Sequence, residues 1–224
     1  MNYAMVRLLI LKDWYLQRWI ILGSLAGGAL ALAITISFGK AGFFIGMILL
    51  VTVLIASGDQ LAFTLVVNER KEKTLAFVMS LPISAVEYTA GKVLANLLIF
   101  LVPWTAILVG SLTLILATPA IPHGLVPYVT IMCIEILVTT CFVSCVAIVS
   151  ESQSWAIATV IVGNVGFNVV GYCVAHVASV AATMFGPVVV WNPASITILL
   201  AELVTIAVLF AFTFYVQSRK THFI

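Results

Sequence analysis

Of the 224 residues, 63% are hydrophobic and only 8% are charged, with a formal net charge of +2. A water-soluble domain carries charge on about a quarter of its residues because its surface faces solvent, so this composition excludes a soluble enzyme and predicts an all-α integral membrane protein with a single transmembrane domain over 1–224. The four cysteines, Cys133, Cys141, Cys145 and Cys173, fall inside apolar runs with no C-x-x-C pair and no histidine at ligand spacing, which argues for small buried side chains over disulfides or a metal site.

In chain order, Arg7, Lys12 and Arg18 stand with Trp14, Tyr15 and Trp19 ahead of the first long apolar run. Residues 2–18 read as an interfacial elbow helix, because Asn2, Arg7, Asp13, Gln17 and Arg18 share an arc at about 100° per residue; the alternative is an upstream extension of the first span. That leading region is too long for a cleaved signal peptide, so an uncleaved span is expected. Crossing a bilayer as helix takes about 20 apolar residues. Six runs qualify, at 19–38, 43–67, 93–117, 125–149, 155–173 and 196–217.

Pro103 is expected to kink the third span, and Pro127 sits in the first turn of the fourth, where proline is tolerated. The fifth span is loosened by Gly163, Gly166 and Gly171. Residues 176–195 are apolar but broken by Gly186, Pro187 and Pro193, which fits a re-entrant or outer helical segment before the last span. Arg7, Lys12, Arg18, Arg70, Lys71, Lys73, Lys92, Arg219 and Lys220 then fall on one side of the membrane and only Lys40 on the other. The positive-inside rule makes the basic side cytoplasmic, with both termini there.

Two carboxylates lie at membrane depth, Asp59 beside Gln60 in the second span and Glu135 in the middle of the fourth. Unpaired, each would cost on the order of 3 kcal/mol, so they should face a bundle interior, a cavity or each other. They either line a translocation path or make protonated or hydrogen-bonded contacts between helices. Asn164 and Asn168, one turn apart, share a face of the fifth span and read as hydrogen bonds between helices or as path residues. Glu202 is expected nearer the outer surface and wetted. Gly23 with Gly27, and Gly42 with Gly46, are spaced for close helix packing. His123 and His176 read as solvated, and no nucleophile and base constellation or metal set lies within the spans.

The densest charge in the chain is "NERKE", followed by "KTLAFVMSLP", in which Leu75, Val78 and Met79 recur at helical spacing until Pro82 stops the helix. Ser84 and Glu87 then form an S-x-x-E capping box at the start of the third span. So short a helix is marginal alone, and its apolar face must rest on the membrane surface, on the chain's own helix ends or on a partner.

Glu69 and Arg70, Thr74-Leu75, "LPIS", Glu87 and "GKVLANLL" together resemble the first cytoplasmic loop of permease subunits of ABC-2 type ATP-binding-cassette transporters. With the elbow-like N-terminus, six spans and broken outer segment, the resemblance runs over nearly the whole chain; one departure is Lys73, where the family usually has glycine. The resemblance implies a coupling helix within the 68–92 loop that docks on a cytoplasmic ABC ATPase subunit. Glu69, Arg70 and Glu72 would make rim contacts there, and Thr74, Leu75, Phe77, Val78, Met79, Leu81 and Pro82 would form the docking helix. It also implies export, pairing with a second permease copy or a homologous permease, and residence in the plasma membrane of a prokaryote; the outer loops, too short for a substrate-capturing domain, favour cargo taken from the cytoplasm or inner leaflet, such as a hydrophobic drug, peptide or lipid. No P-loop G-x-x-x-x-G-K-[ST] occurs in the chain, so ATP and Mg are expected on the partner, with no cofactor or nucleic acid on this subunit. The competing expectation is an ion-coupled secondary transporter that uses Asp59 and Glu135.

Overall fold

The computed structural model describes residues 3–37, 39–64 and 85–219. The regular elements among them are helices: α1 (Tyr3–Ser37), α2 (Gly39–Ala62), α3 (Ala85–Ala117), α4 (Leu125–Ser150), α5 (Gln153–His176), α6 (Ala178–Met184) and α7 (Pro193–Ser218). Six of them, all but α6, are long and apolar enough to cross a membrane. The six expected spans are therefore present, and the broken outer segment is the seven-residue α6 followed by irregular chain. The coupling segment, Glu69 to Pro82, lies outside the described residues.

The helix register corrects the expectation at the N-terminus. Residues 3–18 are continuous with the first span, and no glycine or proline stands between Tyr3 and Leu22 to separate an elbow from it. At 1.5 Å per residue α1 is about 52 Å long and α3 about 50 Å, well beyond a hydrocarbon core of about 30 Å. Both overshoot at the end of the bundle that carries Tyr3 and Arg219, called here the terminal end, and there they pack on each other.

Val6, Leu9 and Asp13, at one-turn and two-turn spacing, form the buried face of the overshoot, with Leu9 seated on Gly91. Asp13 and Lys92, 1% and 3% exposed, form an ion pair at 2.9 Å. Asp13 is thus turned toward protein and not into a hydrated arc, and Lys92 belongs to a buried pair and not to a solvated positive-inside loop. The opposite flank of this part of α1 keeps its aromatic belt, with Arg18 over the rings of Tyr15 and Trp19.

α4 is the central helix and packs on α2, α3, α5, α6 and α7. Its position is set by two adjacent threonines that meet glycines on opposite neighbours. A Cβ on Gly58 of α2 would overlap Thr140, and one on Gly163 of α5 would overlap Thr139. Of the expected small-residue contacts, Gly46 lets α2 close on Thr35 and the Ala31 carbonyl of α1, whereas Gly23 faces open space. Pro103 is buried inside an α3 that continues through it, and the next residue, Trp104, donates its indole N–H to the Cys133 carbonyl of α4 at 2.7 Å. Cys133, Cys141 and Cys145 are buried on α4 as expected, but Cys173 is exposed on α5.

Candidate functional site

The helices leave a cavity of about 340 Å³ bounded by α2, α3, α4 and α5. Leu50 and Leu54 come from α2, Ile107 and Ser111 from α3, Met132 and Ile136 from α4, and Phe167 and Asn168 from α5. The lining is apolar because each contributing helix is apolar nearly all round, so any residue facing the gap is an aliphatic, aromatic or methionine side chain. Toward the end opposite the termini the wall becomes polar. Tyr128, Tyr172 and His176 stand there, with the Tyr172 and His176 rings 4.0 Å apart and His176 Nδ1 2.8 Å from the Tyr172 carbonyl oxygen. The volume and the gradient suit an amphipathic guest held mainly by apolar surface and oriented by a few polar groups.

The four path residues expected from the sequence take different places. Asp59 is half-buried on α2 with its side chain close to that of Asn164 on α5, and neither residue lines the cavity itself. Asn168 donates from Nδ2 to the Asn164 carbonyl at 2.7 Å and lines the cavity. Glu135 is half-buried on α4 and shares a helix face with Tyr128 and Met132, which belong to the cavity wall, but it does not itself line the cavity.

Glu135 instead lies level with Glu202 of α7, on helices that pack together. The expected wetted position of Glu202 is corrected: it is 7% exposed, and neither carboxylate oxygen has a hydrogen-bond partner. Glu135 follows Leu125 by ten residues and Glu202 follows Pro193 by nine, so each lies about 14–15 Å into its helix. α4 and α7 run parallel and hold one register along their contact. Below the two glutamates Thr213 meets Cys145, and Gln217 Nε2 donates to the Ile148 carbonyl at 2.9 Å.

The buried residues of α7, Ser195, Glu202, Thr213 and Gln217, are all polar and fall within one narrow arc. That arc was the available signal. Sequence reasoning weighed Glu202 alone, by its distance from the span end, and did not ask which other polar residues shared its face.

Compared with known protein families, curated proteins and solved structures, the chain matches none. The functional reading therefore rests on the chain's own residues and geometry. Among the described residues, no group of three or more His, Cys, Asp or Glu side chains could hold a metal ion.

Proposed function

We propose that this chain is the membrane-spanning subunit of an ABC exporter, carrying a drug, peptide or lipid with a sizeable apolar part. The observation that carries the transport reading is the apolar cavity between α2, α3, α4 and α5, graded to polar at one end. The ATPase partner rests on the resemblance of the Glu69 to Pro82 segment to the coupling loop of ABC-2 permeases. In this reading the terminal end is cytoplasmic and two permease copies, or this chain and a relative, dock two ATPases. A push on the coupling segment enters α3 at its first turn. The Asp13–Lys92 pair passes it to α1, while α2, the span that precedes the coupling segment, carries it toward Asp59.

Co-purification with candidate cytoplasmic ATPases tests the docking. Phe77→Asp and Met79→Asp are expected to lose the bound ATPase while the permease still elutes as a folded species, and an undiminished complex would overturn the docking helix. The cavity is tested in proteoliposomes with Asn168→Trp, which fills it; transport is expected to fall at least tenfold with the ATPase still bound.

A second reading, an ion-coupled secondary transporter using Asp59 and Glu135, draws on the depth of both carboxylates. It requires transport without any ATPase, with loss of activity in Asp59→Asn and Glu135→Gln.

A further inference from the structure

The Glu135–Glu202 pair differs from the polar contacts that join the other helices. There a donor meets an acceptor: Lys92 with Asp13, Asn96 with Ser144, Trp104 with the Cys133 carbonyl and Gln217 with the Ile148 carbonyl. Here two carboxylates lie level with each other on packed helices, and the more buried one has both oxygens unpartnered. Two ionised carboxylates in apolar surroundings repel each other and are poorly solvated, so a facing pair is stable only with something positive between them.

The neighbouring helices do not bring it. α3 carries Lys92, but at its terminal end and committed to Asp13. α2 offers Asp59, a third acid, close to Asn164. α5 has His176 at its far end against Tyr172, and α6 has no titratable side chain. On the two helices themselves, Tyr128, Cys133, Cys141 and Cys145 are neutral groups on α4, Glu151 lies beyond its terminal end, and Tyr215 and Arg219 lie at the terminal end of α7 with Arg219 over the Tyr215 ring.

We propose that Glu135 and Glu202 form an intramembrane proton-binding site. A proton from water adds to a carboxylate oxygen of one glutamate, taking the pair from two negative charges to one and relieving their repulsion. Glu135 is the more accessible member of the pair and Glu202 the buried one. A sodium ion is the poorer occupant, because it asks for several oxygen ligands and no second residue with a free carboxylate or amide joins the pair among the described residues. Because the pair closes the α4–α7 seam, and Glu135 shares its face with residues of the cavity wall, proton loss acts on the seam that borders the candidate transport path. The inference does not depend on an ATPase partner.

The test is infrared difference spectroscopy of the full chain in lipid nanodiscs, titrated from acid to alkaline pH in H2O and D2O. The expected result is a carboxylic acid carbonyl band that persists at neutral pH and shifts in D2O. It should be lost in both Glu135→Gln and Glu202→Gln and kept in Asp59→Asn. Each Gln variant should also release one proton fewer per chain across the titration.

Absence of the band from the wild type at neutral pH would overturn the site, as would a band that survives both Gln variants. A band displaced by sodium at fixed pH would make the pair a cation site and overturn the proton assignment. If one Gln variant fails to fold, the other decides, and the wild-type titration stands without either.

Discussion

Asp13 and Lys92 bury opposite charges against each other between α1 and α3, whereas Glu135 and Glu202 put like groups at one level of the packed α4 and α7. The first pair brings its own compensation, and it sits near the terminal end, where α1 and α3 pack on each other. The second pair brings none, and it sits about halfway along helices whose other faces are apolar. A charge pair that neutralises itself acts as a fastener. A pair that cannot do so needs an exchangeable partner, and that difference separates a structural contact from a candidate site even though both look like buried charges.

The largest effect expected from breaking this contrast is at the fastener. Lys92→Met leaves buried Asp13 with only the exposed Lys12 ammonium, 3.5 Å away, as counter-charge, and breaking a buried pair costs about 3–5 kcal/mol at comparable sites. Thermal melting in a fixed detergent should show it as a clear drop in midpoint. Adding Asp13→Leu should restore most of the loss, because two packed apolar side chains replace a desolvated pair at little net cost. A silent Lys92→Met would mean that α1 and α3 are held by packing alone.

The next effect separates charge from shape. α4 is located by close backbone approach, so Gly58→Val, which drives a branched side chain into Thr140, should destabilise by about 1–3 kcal/mol. Gly23→Val, on the open face of α1, should leave the melting midpoint nearly unchanged.

How much of this could be read from the sequence follows from what each signal measures. Span length and apolarity are local, so six crossings were legible, as was the broken segment that became α6 and the irregular chain before Pro193. Asp59 and Asn164 were legible as polar residues in costly surroundings, since an unpaired amide or carboxylate at that depth is unfavourable, but not as neighbours of each other. Pairings such as Asp13 with Lys92, seventy-nine residues apart, depend on which helices pack together. Composition does not carry that information. The cavity was illegible for a related reason: in a helix that is apolar all round, a residue facing a gap looks the same as one facing lipid. Glu202 was the exception, because its shared arc with Ser195, Thr213 and Gln217 can be found by counting residues.

The smallest effect sharpens the comparison within the α4–α7 seam itself. Gln217 is buried beside the last turn of α4, where the Ile148 carbonyl is among the final four that a helix cannot satisfy internally. Its Nε2 supplies the missing donor, while its Oε1 has no partner. Gln217→Met gives up one hydrogen bond, about 1 kcal/mol, but also removes an unsatisfied buried oxygen, so the two changes should largely cancel and the midpoint should move little. Gln217→Glu keeps the shape, removes the donor and sets a carboxylate against the carbonyl, which places at the terminal end of the seam the same uncompensated acceptor that Glu202 presents in its middle. Its destabilisation should therefore grow as pH rises and the new carboxyl ionises, while Gln217→Met stays flat over the same range. If both variants melt alike at every pH, the polar stripe of α7 is held by shape, and the donor and acceptor matching along the seam carries no energy.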